Sequence, residues 1–506
     1  MRSTFYGFEI AKTGLFASQR AQDVVSHNIA NANTPGFTRQ QAIMSAISPP
    51  THLSISTAYG KGQIGAGVEV QEVRQLCDQF LDEQFRRENK ALGEWETKSE
   101  VLSTIEAIFN EPSDSSIRTV FDQFFASLQE LSQNPESLTT RALVRQRGVA
   151  LAETIRHIYT QLSDKRAELN SSVLTRIDEI NSYAEQIRDL NAQIYKFELT
   201  GDRANDLRDK RNLLLDQLSK IVNITAYEDN RGHFRVDIGG QALVDHIDSF
   251  KIVGKVNSEG MADLYWETSD TPVKVSGGIL KGLLDMRDGK GDPEATGIPY
   301  YLDKLNQFAQ KLVEKFNEIH RSGYGLNGKT GINFFSFHPD AVSDSSDPQF
   351  NDADKDGYPD TVTPSTEYAK NITVSSDIMK DLNNIAASDV DPSSTGEVGN
   401  NKNLLSLISL KYDTSIFSVG SFDDFTKSLI SNLGVDSQQA QRMADNQDAL
   451  TKEVDQRRQA VSGVSIDEEM ANMVKFQHSY NASARMITVM DEMLDVIINR
   501  LGIVGR

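Results

Sequence analysis

The stretch "DADKDGYPD", residues 352–360, is where this 506-residue sequence comes nearest to a ligand site. Asp352, Asp354, Asp356 and Asp360 fall at positions one, three, five and nine of a calcium loop. Gly357 stands at the sharp turn and Tyr358 offers its carbonyl, a set of oxygen donors suited to a hard cation. Position twelve is Thr363 in place of a bidentate Glu, and no flanking helix pair is evident. Two readings stay open: an acidic surface loop, or a weak calcium-binding loop. No other part of the chain calls for a cofactor.

The remaining chemistry-bearing patterns are weaker. "GKGQIG" at 60–65 matches the dinucleotide fingerprint, which works only when a strand leads in and a helix follows to face its amides to the phosphates. Here "THLSISTAY" precedes it and the strand-like "AGVEVQEV" follows, so the glycines read as turn residues. The eight histidines (His27, His52, His157, His233, His246, His320, His338, His478) form no H-E-x-x-H pattern and accompany no nucleophile signature. Paired carboxylates abound, as they must in an acidic chain, and no spacing singles out a catalytic pair. We expect no catalytic residues and no enzymatic activity.

Composition narrows the partners. A net charge of −20 argues against nucleic acid and anionic membranes, because neutralising phosphates needs excess Lys and Arg. No run of about 18 apolar residues is present, so membrane insertion is not expected. Cys77 is the single cysteine, which rules out an intrachain disulfide and a thiolate metal cluster. In "MRSTFYGFEIAKTGLFASQRA", Glu9, Lys12 and Arg20 interrupt any hydrophobic region of a secretory signal peptide. A cytosolic protein fits these facts, and so does one exported unfolded without a cleaved signal.

Elements must then position whatever the chain does. Residues 5–29 carry a thin helical seam through Phe8, Ala11, Leu15, Ser18, Gln22, Val25 and Ile29. It stops in "NIANANTPGFTRQ" (28–40), where Asn28, Asn31, Asn33 and Pro35-Gly36 predict a shaped loop after the helix. The final segment, 466–501, is stronger: Met473, Tyr480, Ile487, Leu494 and Leu501 recur every seven residues. Neither terminal helix can bury its stripe alone. Packing of each on an ordinary core is one option; the pattern favours pairing with each other.

Between them, alternation and turn residues predict a hairpin over 42–75. Helices are expected over about 90–110, 115–133 and 138–199. The longest carries one seam at Leu151, Ile155, Ile158 and Leu162 and another at Ile177, Ile180, Ala184, Ile187 and Ile194. Residues 222–280 alternate as strands, 300–320 return to helix, 325–400 are rich in Asp, Ser, Asn, Gly and Pro, and helix resumes from about 422. The fold class expected is mainly α with β-rich inserts: elongated, multidomain, with a terminal coiled coil, a central helical bundle and a β-rich outer domain. Four regions follow. They are 1–77 with 450–506 (terminal coiled coil), 78–225 with 298–325 and 405–449 (helical), 226–297 (β-rich), and 326–404 (variable acidic surface insertion).

"VSHNIANANTPGFTRQ" (25–40) resembles the N-terminal signature of the axial proteins of the bacterial flagellum, the rod, hook and junction proteins. "GVSIDEEMANMVKFQHSYNASARMITVMDEMLDVIINRLG" (463–502) is similar to the C-terminal helix of the same group, in the form of its hook–filament junction branch. "DLRDKRNLLLDQLSKIV" (206–222) and "GGILKGLLDMRD" (277–288) resemble interior segments of that branch, and 330–400 resembles none. The resemblance implies a structural role, with paired terminal helices forming the inner wall of the flagellar tube. Phe8, Leu15, Val25, Ile29, Met473, Tyr480, Ile487, Leu494 and Leu501 would then be the assembly residues. Implied partners are the hook protein, the next hook–filament junction protein, further copies in a ring, the flagellar export apparatus and an export chaperone. The implied location is extracellular, in the flagellum, after type III export without a cleaved signal. A hook or distal rod protein shares the terminal motifs, but the long helical interior counts against it. A cytosolic helical adaptor or enzyme is the alternative from a different class.

Overall fold

The computed structural model describes residues 6–47, 65–110, 116–199, 201–229, 231–291, 295–337 and 367–500. The calcium-loop candidate, with Asp352, Asp354, Asp356, Tyr358 and Asp360, lies outside them, as do Gly60, Gly62 and Leu501.

Helix α1 (Tyr6–Asn31) leads into an antiparallel hairpin, β1 (Gln40–Ala46) with β2 (Val68–Gln75), whose register is broken by a bulge between Ile43 and Met44. Helices α2 (Gln79–Asn110), α3 (Ile117–Gln133), α4 (Leu138–Glu198) and α5 (Asn205–Ile221) follow. Their boundaries have local causes. The Ser116 hydroxyl accepts from the Thr119 amide to start α3, Ser137 does the same for Thr140 at α4, and Asn134-Pro135 separates the two. Gly201, at φ +90°, turns the chain between α4 and α5.

The 61 residues of α4 make a rod about 90 Å long. Every residue of the two expected seams is buried, from Leu151 to Ile194. The first half packs against α3, where Gly148 touches Phe334 and Phe124. The second half serves the β region: Asn181 bonds both backbone groups of Ile252, and the Asn191 amide donates to the His246 carbonyl. That region is a meander of β3 (Thr225–Glu228), β4 (Phe234–Ile238), β5 (Gln241–Asp245) and β6 (Asp248–Ser249). A second hairpin joins β7 (Ile252–Val256) to β8 (Ala262–Trp266).

Helices α6 (Ile279–Asp288) and α7 (Ile298–Ser322) return to the bundle, and β9 (Phe335–Ser336) pairs with β10 (Thr373–Val374). Short helices α8 (Tyr368–Asn371), α9 (Ser376–Lys380) and α10 (Pro392–Thr395) precede α11 (Lys402–Ser409). The 41-residue α12 (Phe422–Ser462) opens with a Ser421/Asp424 capping box and runs antiparallel to α2, with Ser99 bonded to Gln441 and Arg458 beside Asp82. It passes unbroken through 449/450, so the helical and terminal regions share one continuous helix. Gly463-Val464-Ser465 breaks it from α13 (Ile466–Asp495), which ends in a π turn at Val496–Arg500.

The chain is 66% helical, mainly α with β-rich inserts, and elongated. The reading of 326–404 as a surface insertion needs correction at both described ends. Phe334, Phe335, Ile372, Ile378, Ile385 and Leu404 are fully buried, and Phe124 packs at tilted and edge-on angles against Phe316, Phe334 and Phe335 in one aromatic core. Buried Arg141 holds this segment to α4 by donating to the carbonyls of Leu382 and Ile385. These apolar residues sit in turns, two-residue strands and short helices (Ile378 in the five-residue α9, Leu404 in the eight-residue α11) that carry little periodicity among polar neighbours.

Candidate assembly site: the terminal helix pair and its clasp

Helices α1 and α13 pack along their lengths, and α1 also lies on the β1–β2 hairpin, where the Val68 amide donates to the Thr13 hydroxyl. The face of α1 turned to α13 is built from small residues at coiled-coil spacing: Gly7, Ala11, Gly14, Ser18, Ala21, Val25 and Asn28. A Cβ at Gly7 would stand 2.6 Å from Met490 Cε, and one at Gly14 would stand 3.1 Å from Ser483 Oγ. The Ser18 hydroxyl meets that of Ser479 at 3.2 Å. A stripe of Gly, Ala and Ser lets the two backbones approach closely, which explains the missing leucines.

Of the expected assembly residues on α1, Val25 is buried, while Phe8, Leu15 and Ile29 are half-buried along the edge of that stripe. On α13, Met473, Tyr480, Ile487 and Leu494 are all half-buried, and Leu501 lies outside the described residues. Only Glu469 is fully buried on α13. Apolar side chains are left exposed in two groups: Ile466, Met470 and Val474 near its start, and Met486, Val489 and Met493 near its end. At 100° per residue the two groups fall on opposite flanks of the seam.

At the inner end of the pair, polar groups tie four distant segments together. Asn28 is fully buried; its amide donates to the Gln40 carbonyl at 2.9 Å and to Glu469 at 3.1 Å, and its oxygen accepts the Gln40 amide at 3.0 Å. Arg39 donates to Glu469 through Nε at 2.8 Å and to Glu468 at 2.7 Å, while its backbone amide bonds the Ser462 carbonyl at 2.8 Å. The start of α5 supplies the rest. Gln40 donates to Asp206 at 2.7 Å, the Thr38 amide and Gln75 donate to Asp209 at 3.0 and 2.7 Å, and Asn205 donates to the Val73 carbonyl at 2.8 Å. Gly36, at φ +76°, lies against Leu213 of α5, so a side chain there would be both strained and crowded. Burial, reinforced by the neighbouring Asp206, pushes the Asp209 carboxyl up to about 6 against the pull of its donors. Partial desolvation together with the nearby Asp82 and Asp209 carboxylates raises the thiol of Cys77, which is itself exposed.

The sequence marks Asn28 only as a helix stop and does not point to Arg39, Gln40, Asp209 and Glu469 as its partners in the clasp. The available signal was a pair of polar residues, Asn28 and Glu469, on seam positions of the two terminal helices. Among the described residues no group of three or more His, Cys, Asp or Glu could hold a metal ion. No described helix is long and apolar enough to cross a membrane.

Comparison with known proteins gives the same pattern. Family models described as flagella basal body rod protein and flagellar basal body rod FlgEFG protein C-terminal match residues 8–38 and 456–501. A model described as the flagellar hook-associated protein FlgK helical domain matches residues 102–335. The two rod-type matches meet in space at the clasp, where Asn28 of the first bonds Glu469 of the second. The class defined is that of flagellar axial proteins, structural and not enzymatic. Flagellar hook-associated protein 1 of Bacillus subtilis (strain 168) is 33% identical over 537 residues, covering 100% of each chain. The Salmonella typhimurium protein of the same name is 26% identical, covering 97% of this chain and 98% of its own. A solved structure of the flagellar hook junction protein FlgK from Burkholderia pseudomallei aligns with a TM-score of 0.59 at 16% identity, covering 74% of this chain and 100% of that one. The chain belongs to the flagellar hook-associated protein 1 family, and its place is the bacterial flagellum.

Proposed function

We propose that this protein forms the first ring of the hook–filament junction, with hook protein below it and the next junction protein above. Its α1–α13 pair would line the inner tube, and further copies would cover the exposed flanks of α13. The observation that carries this is the unburied apolar surface of α13, exposed on two opposite sides of a helix already paired through a third. Such a helix has lateral partners on both flanks only inside an array. Delivery through the flagellar export apparatus, aided by an export chaperone, would bring the chain to that array without a cleaved signal.

The test is assembly on purified hooks. Ordering of the terminal pair is coupled to joining the tube, so hydrogen exchange over α13 should be only moderately protected in the free protein and become much slower after incorporation. Strong protection of α13 in free monomer would remove the coupling. Calcium at 352–360 rests on sequence spacing alone and keeps both of its readings. Titration calorimetry of wild type against Asp354→Ala decides between them, and heat lost in the variant marks the loop as a site.

A further inference from the structure

A second site lies away from the terminal helices, where the end of α4, the middle of α5, the β3–β4 turn at Arg231-Gly232 and the β5–β6 turn enclose a bowl of about 270 Å³. Its floor is Arg211, only 4% exposed. The guanidinium lies 3.7 Å over the Phe234 ring, donates to the Asn191 oxygen at 3.0 Å, and pairs with Glu228 at 3.2 Å. Its Nε–H is buried and has no partner. Nearly all buried donors in folded proteins are satisfied, so an orphan guanidinium donor lining a cavity points to something that enters it.

The opposite wall repeats the observation. His246 sits at φ +55°, a strained conformation for a residue with a Cβ, and its buried Nδ1 also has no partner. The ring is held in place by His233, stacked at 4.3 Å, and by the edge of Tyr195 at 5.1 Å. The Asn191 side chain links both walls, accepting from Arg211 and donating to the His246 carbonyl at 2.9 Å. Ile194 and Leu199 supply apolar wall between them. Glu198 also lines the bowl, but its two oxygens are taken by Arg208 at 2.7 and 2.8 Å.

We infer that this bowl binds a monocarboxylate, with one oxygen taken by Arg211 Nε–H, the other by His246 Nδ1–H, and the apolar tail against Ile194 and Leu199. Glu198 is neutralised by Arg208 and Arg231 at the rim adds positive charge, so the bowl favours an anion, and its two single unpaired groups match the two oxygens of a carboxylate. The carboxylate could come from a free small acid or from a glutamate side chain of another polypeptide; the recognition chemistry is shared.

The experiment uses the full chain with isotope-labelled histidine, titrated with sodium hexanoate, neutral hexanamide, inorganic phosphate and a blocked peptide carrying one glutamate. Hexanoate or the peptide should move the His246 ring signals saturably, and hexanamide should not. The tighter of the two names the source. His246→Gly, which fits the positive φ and keeps the turn, should weaken binding about tenfold or more, a loss of about 1.4 kcal/mol, followed through the ring signals of the adjacent His233 and without lowering the thermal midpoint. Arg211→Lys, which keeps the charge but removes Nε–H, should weaken it as well. Absence of any saturable shift, preference for phosphate, or unchanged binding by His246→Gly would overturn the inference.

Discussion

Asn28 and Glu469 occupy seam positions where an apolar side chain would pack as well, and their value is in register. Sliding α13 by one heptad would leave the Glu469 carboxylate and the Asn28 amide buried without their present partners, Arg39 and Gln40. Glu469→Ala should therefore destabilise the terminal pair by about 3 kcal/mol, with a smaller loss in Glu469→Gln, read by hydrogen exchange over α1. Two titrating groups work against each other in acid. Asp209, raised from 3.8 to about 6, contributes stability that is fully present below 3.8 and is lost as pH rises through 6. His320 is pushed down from 6.5 to about 4 by burial; its Nε2 accepts the Ala386 amide at 3.0 Å, and its contribution is present above 6.5 and lost as pH falls through 4. Each amounts to roughly 3 kcal/mol, so global unfolding should change little over that window. Amide exchange separates them: protection of Ala386 should fall on acidification while that of Thr38 rises, and His320→Gln and Asp209→Asn should each flatten its own curve.

Close approach of α1 to α13 depends on residues with almost no side chain. Gly14→Val would push its branches into Ser483 and force the helices apart, costing about 2 kcal/mol of pairing while leaving α2–α12 intact. Circular dichroism combined with exchange over α13 would show it, and an unchanged exchange pattern would mean the approach is looser than the geometry implies. This stripe was only partly legible in the sequence, which placed Ala11, Ser18 and Val25 in the seam but not Gly7, Gly14, Ala21 or Asn28. Gly7, Ala11, Gly14 and Ser18 carry little hydropathy, whereas Phe8, Leu15 and Ile29 repeat with similar spacing one position on and mark only the edge. The long helix was the opposite case: Leu151 to Leu162 and Ile177 to Ile194 are large, regularly spaced and all buried. The clasp drew on residues near 28, 39, 75, 206 and 469, and nothing local in a sequence states that such segments meet. The core residues at 334–335 and 372–404 failed for want of length, since two-residue strands and helices of one or two turns carry almost no period.

A free chain carrying a net charge of −20 repels its copies, yet assembly must overcome that repulsion through a limited apolar surface. The surface available is on α13, and its two faces can be tested separately. Leu494→Asp or Ile487→Asp places a charge in the seam with α1, so it should loosen the terminal pair in the monomer and also stop incorporation, with the α2–α12 body still folded. Met470 and Met493 are 58% and 55% exposed, so Met470→Glu with Met493→Glu should change monomer stability by no more than about 0.5 kcal/mol. If neighbouring subunits cover those flanks, each glutamate must be desolvated on joining the tube, at a cost of several kcal/mol per charge. The double variant should therefore behave as a normal elongated monomer by light scattering, with wild-type exchange over α1 and α13, and still fail to join hooks. Normal filaments from it would remove the flanks of α13 from the assembly surface and leave the seam alone to account for it.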